Sequence, residues 1–99
     1  MNKPTKYNRE AAEAVAVQAL GFLAQDSERL DRFLALSGLN ASEIRAAATE
    51  PGFLTGVLDH VVSDDRVLMA FAEQSGLMPA EIEKAHSALT GGGEYLRST

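Results

Sequence analysis

Apolar residues return every third or fourth position through most of this chain, which is the period of a helix with one buried face. Ala12, Val15, Ala16, Ala19, Leu20 and Leu23 form the first such stripe, and Asn8 ahead of it can cap a helix reaching about Ala24. Ala11, Ala14, Val17 and Phe22 lie off that stripe, so this helix is apolar on nearly every side. A helix of that kind is either central to a fold or covered by a partner, and a central position is expected here. A second helix starts at Asp26 or Ser27, turns Leu30, Phe33 and Leu34 inward, and ends at Gly38. The third, from Ala41 to about Ala48, is short and small-sided around Ile44 and Ala47. Thr49 or Glu50 then caps a fourth helix with Pro51 in its first turn, carrying Phe53, Leu54, Val57, Leu58, Val61 and Val62. Its β-branched residues and Gly52 and Gly56 give it poor helix propensity, and a strand is the competing reading, but the chain offers no second strand to pair with it. Ser63 or Asp64 caps a fifth helix with Leu68, Phe71 and Ala72 inward, stopped by Gly76. The sixth runs from Pro79 to about Leu89 and shows Ile82, Ala85, His86 and Leu89 in one stripe. The expected fold is all-α, a compact orthogonal bundle of six short helices with the first and fourth at its centre.

Two corners organise this pattern. Ser37-Gly38-Leu39-Asn40-Ala41-Ser42-Glu43-Ile44 is echoed 38 residues later by Ser75-Gly76-Leu77-Met78-Pro79-Ala80-Glu81-Ile82. In each, the glycine can take the left-handed conformation that ends a helix, and the next helix starts within a few residues. Asn40 with Glu43 has the form of a capping box. Setting residues 11–48 against 49–86 gives ten identities, among them Leu20 with Leu58, Asp26 with Asp64, Leu30 with Leu68 and Phe33 with Phe71. The shared apolar residues fall at equivalent helical phases, which reads as a duplicated three-helix unit. Chance likeness between amphipathic helices is the competing reading.

Ninety-nine residues, 45% of them hydrophobic and 23% charged, suit one soluble domain. Its expected extent is 8–90, between a disordered N-terminus at 1–7 and a flexible tail at 91–99 released by Gly91-Gly92-Gly93. With no cysteine, disulfides, thiol nucleophiles and cysteine-bound metals are excluded. No apolar run resembles an export signal or a membrane span, so no membrane association is expected and the default location is cytoplasmic. The net charge of −5 is concentrated in residues 49–86, where seven acidic residues face two basic ones. An acidic body repels phosphate backbones and disfavours a nucleic-acid partner.

Candidate chemistry is sparse. His86 shares an apolar stripe and reads first as a packing residue, with an acid or base role requiring a partner the sequence does not name. His60 and Asp64 stand four apart near Asp59 and Asp65, short of a convergent metal-ligand set. Ser37, Ser42 and Ser75 have no histidine nearby in sequence, and the glycine run lacks the lysine and helix of a phosphate loop. No catalytic residue, cofactor or metal is therefore expected. The alternative function is DNA reading by a helix-turn-helix, since Ala72, Gly76, Ile82 and Ala85 have its spacing. The residues that would enter the groove, Glu81, Glu83 and Lys84 in one corner and Ser42, Glu43 and Arg45 in the other, form no basic surface.

Four blocks in order, beginning at Glu13 (EAVAVQALGFL), Arg32 (RFLALSGL), Pro51 (PGFLTGVLD) and Leu68 (LMAFA, with Gly76-Leu77 following), resemble a family of small proteobacterial proteins known only as a domain of unknown function. The resemblance runs from about Asn8 to Leu89 and implies an intracellular bacterial protein; it carries no activity or cofactor with it. The expected function is a non-catalytic interaction or adaptor module that binds a protein partner or forms a homodimer. Ala14, Val17, Phe22, Met69 and Met78 are the candidate contact residues, because off-stripe Met and Phe adapt well to partner surfaces. Core packing or scattered exposure is the ordinary alternative for each.

Overall fold

Asn8 caps the first helix by accepting a hydrogen bond from Ala11 N–H at 2.7 Å, which satisfies a donor that the first helical turn would otherwise leave unpaired. The computed structural model describes residues 8–50 and 52–90, so the expectations for residues 1–7, Pro51 and residues 91–99 lie outside the described residues. From Asn8 the chain forms α1 (Arg9–Ala24), α2 (Ser27–Ser37), α3 (Ile44–Ala47), α4 (Phe53–Val62), α5 (Asp65–Ser75) and α6 (Pro79–Thr90). A 3-10 turn, Ala41–Glu43, opens α3. No strand occurs among the described residues, so the all-α reading holds and the strand alternative for α4 fails.

Burial decides what local propensity leaves open. α4 keeps its helix because Phe53, Val57, Leu58 and Val61 are all buried. It lies against α1, and α6 packs against both. Ile82 of α6 is fully buried, as are Ala85 of α6 and Ala12, Ala16 and Ala19 of α1, and the short alanine side chains let helix backbones approach closely. α2 packs on α1, and α5 on α4, from the outside. α3 buries no residue fully; only Ile44 and Ala47 lean on the core. The centre is therefore three helices rather than the two expected.

One phase assignment is corrected. Phe22 is buried, 6% exposed, with its ring 5.4 Å from that of Phe71 and the Arg29 guanidinium 5.0 Å over it. It stands seven residues after Val15 and three after Ala19, both buried, and so belongs to the inner face, whereas Leu20 on the opposite edge is only partly buried. A second correction concerns α4, whose N-cap is Gly52 without a side-chain bond. Thr49 instead donates its hydroxyl to Ala46 C=O at 2.8 Å, closing the end of α3.

The elements 38 residues apart share their local chemistry. α2 and α5 each have 11 residues, and Asp26 and Asp64 cap them with the same extended backbone, each carboxylate accepting from the N–H groups two and three residues on. Gly38 and Gly76 end them at φ 80° and 81°. Asn40 N–H donates to Glu43 at 3.0 Å and closes the expected box; Met78 N–H donates to Glu81 at 2.8 Å in the second corner. The correspondence stops after the corners, where α3 makes one turn and α6 has 12 residues.

Opposite signs are expected for two glycine substitutions. At Gly76 a Cβ meets nothing within 4 Å, so Gly76→Ala suffers only the strain of positive φ and lowers stability by about 1 kcal/mol. Gly21 is helical and equally open, so Gly21→Ala raises stability by about 0.5–1 kcal/mol. Urea midpoints of the two variants and the wild type check both.

Candidate functional site

A polar-rimmed depression lies where α2 crosses α4, a groove of about 310 Å³. α2 supplies Phe33, Leu36 and Ser37. α4 and its C-cap supply Gly56, Asp59, His60 and Ser63. The groove forms because Gly56 presents no side chain and Leu36, outward on the last turn of α2, is 70% exposed instead of closing over it. Phe33 makes the apolar floor, buried and edge-on to the His60 ring at 5.3 Å.

His60 is the reactive group best placed in this groove. Partial burial is the main cause that holds its pKa below the ordinary 6.5; Arg32 adds to the effect, while Asp64 and Asp59 oppose it. The imidazole is therefore neutral at pH 7, with one ring nitrogen a donor and the other an acceptor. Neither makes a hydrogen bond among the described residues. Both neighbouring hydroxyls are committed elsewhere: Ser63 donates to His60 C=O at 3.0 Å, and Ser37 to Phe33 C=O at 2.8 Å. Ser75 likewise turns to a carbonyl, that of Ala72, and Ser42 to Asn40 Oδ1. No serine is thus presented to a histidine among the described residues.

His86 is half-withdrawn beside the groove. Its Nε2 is buried and lies 3.4 Å from the exposed Asp59 carboxylate, but not in line for a hydrogen bond, so it stands unpaired among the described residues. The lone packing histidine read from the sequence thus has an acidic neighbour from α4. His60, Asp59 and Asp64 do not converge, and no group of three metal-ligating side chains occurs among the described residues.

The candidate contact residues divide. Ala14 and Val17 share the outer face of α1, Val17 at 56% exposed; Met69 points outward from α5 at 56%; Met78 sits in the second corner at 64%. Phe22 is removed from this set by its place in the core. Leu36 belongs in it and was missed, because on periodicity alone it reads as one more apolar residue at the end of α2. Its signal was in the 38-residue alignment, where it stands opposite Gln74, a polar surface position. No helix among the described residues is long and apolar enough to cross a membrane.

The helix-turn-helix alternative has its buried positions in place: Ala72, Ile82 and Ala85 are buried, and Gly76 is left-handed. Yet α6, which would have to enter a DNA groove, is packed against α1 and α4, and it exposes Glu83, Lys84 and Ser87.

Among the described residues, fold and surface define a six-helix all-α domain with a shallow polar-rimmed groove and a few exposed apolar side chains. The chain belongs to the protein family of unknown function DUF3572, whose model matches residues 9–92, nearly the full span expected from the four sequence blocks. Comparison with curated proteins and with solved structures finds no match.

Two measurements follow from the placements. Because His60 titrates lower in the folded than in the unfolded chain, the unfolded state binds more protons between the two values. Stability therefore falls as pH drops through that window, from about 6.5 downward, and levels off below it. His60→Phe should show a shallower acid decline in melting temperature than the wild type. Phe22→Glu buries a charge against Phe71 and should unfold the domain, a loss of at least about 3 kcal/mol, whereas Val17→Glu should leave circular dichroism and melting temperature within about 0.5 kcal/mol of wild type.

Proposed function

We propose that this protein is a non-catalytic interaction module, an adaptor that binds a protein partner or a second copy of itself. The sequence-based expectation of a cytoplasmic location is part of this reading. The observation that carries it is the outward placement of Val17, Leu36, Met69 and Met78, all more than half exposed, while the other large apolar side chains among the described residues are buried or partly buried. Unbranched methionines suit such surfaces because they repack against partners of different shape. Absence of a catalytic role is supported by the commitments of the serines to nearby carbonyl or amide oxygens and by the lack, among the described residues, of a hydrogen bond between His86 Nε2 and the nearby Asp59 carboxylate. A nucleic-acid partner is opposed by the charge of −5 and by the burial of one side of α6.

The test uses the full chain and a Val17→Glu/Met69→Glu/Met78→Glu variant shown by circular dichroism to be folded. The wild type should run as a dimer in light scattering, or retain from extract of its native cell a protein that the variant does not retain. Equal mass and equal retention for both proteins would overturn the reading.

A further inference from the structure

The two halves of the chain meet in the way two copies of one protein meet. Phe33 of the first half packs on His60 of the second at 5.3 Å between ring centroids. Moved along by 38 residues, position 33 becomes Phe71 and position 22 becomes His60. The reverse pair, Phe22 on Phe71, is formed as well, at 5.4 Å. A second pair of positions repeats the relation. Gln74 Nε2 donates to Gln25 Oε1 at 2.7 Å, and their counterparts, Leu36 and Ser63, line one groove between α2 and α4, where Gly56 stands at the position of Gln18. Contacts in which one position meets another and that other meets the first are the mark of a two-fold interface between like surfaces. The helices agree with it: α2 lies on α1 as α5 lies on α4, and α2 meets α4 as α5 meets α1. α6 alone crosses both halves without a counterpart of its length.

The same interface supplies what neither half has alone. The ring pairs among the described residues, Phe22 with Phe71 and Phe33 with both Phe53 and His60, each join one half to the other, as does the bond between Gln25 and Gln74. The buried face of α1 is covered chiefly by helices of the second half, α4 and α6. Segments of about 40 residues seldom hold a core by themselves, so each half depends on a complementary half. The connection between them is slight: Ala48, Thr49, Glu50 and Gly52 are exposed, and α3 before them buries no residue fully.

We infer that this protein pairs with a second copy of itself by exchanging halves, residues 8–50 of one chain packing on residues 52–90 of the other and the reverse. Each of the two cores formed in this way keeps the contacts between halves that the single chain makes, and only the connection after α3 takes a new course. Because both forms share those contacts, protein concentration sets the balance between them. The inference goes beyond the reading of an interaction module: its surfaces are the buried ones between the halves, and Val17, Met69 and Met78 take no part.

The test uses two full-length variants, Gln25→Cys and Gln74→Cys, in a chain that has no cysteine of its own. Both positions are exposed, and they meet across the halves. The variants are mixed, unfolded in urea, refolded together at high protein concentration and treated with a short bis-maleimide. Exchange brings position 25 of one chain to position 74 of the other, so the mixture should give crosslinked dimer well above the background of either variant treated alone. The double variant Gln25→Cys/Gln74→Cys, refolded dilute, should crosslink within one chain and calibrates the reach of the reagent. A mixture that gives no more crosslinked dimer than the separate variants overturns the inference. Adding Val17→Glu/Met69→Glu/Met78→Glu to both chains should leave the yield unchanged; a yield lost with those substitutions would assign the crosslink to the outer surface and overturn exchange while supporting the wider interaction reading, so the two fail separately.

Discussion

The fold depends on three alanines. Ala12, Ala16 and Ala19 line the inner face of α1 and are shut off from water completely. Their small size lets α4 and α6 come close enough for Leu23, Val57, Leu58, Val61 and Ile82 to fill a single dry interior. The gain is hydrophobic burial and dispersion, roughly proportional to the apolar area removed from water. Intrinsic helix preference contributes less, as α4 shows: it contains three β-branched valines and Gly56 and is helical because its inner face is covered.

Around that centre, short polar devices set where each rod stops. Asp26 and Asp64 start α2 and α5; Gly38 and Gly76 end them; Glu43 and Glu81 hold the corners that follow. What comes after the corner differs for a reason visible in the residues. Beyond Ala47 the sequence offers no large apolar side chain before Phe53 to continue the stripe begun by Ile44 and Ala47, and α3 ends after one turn. Beyond Ile82 and Ala85 the stripe continues to Leu89, and α6 becomes part of the centre. One corner chemistry thus leads once to a peripheral turn and once to a core helix.

Much of this was legible beforehand. The apolar stripes located all six helices, and Asn8, Asp26 and Asp64 with the stops at Gly38 and Gly76 marked ends of α1, α2 and α5, because each depends on residues within a few positions of one another. The miss at Phe22 came from taking Leu20 rather than Phe22 as the edge of the stripe on α1; a helix that is apolar on most sides gives little contrast for fixing its phase. The groove was legible only in comparison. His60, Gly56, Ser63 and Leu36 are unremarkable singly and become informative beside Phe22, Gln18, Gln25 and Gln74. The approach of Asp59 to His86 joins α4 to α6, a tertiary juxtaposition that no local pattern encodes.

The same arrangement connects construction with use. A centre of three packed helices leaves the outer faces of α1, α2 and α5 free of structural duty, and it is there that Val17, Leu36 and Met69 are exposed. Native-state hydrogen exchange tests the central claim most directly. If the alanine face of α1 holds the molecule together, amides in residues 15–23, 57–61 and 82–89 should exchange only with global unfolding, while those of α3 open locally at much lower free energy. Rapid exchange along α1, or protection of α3 equal to that of α4 and α6, would contradict it.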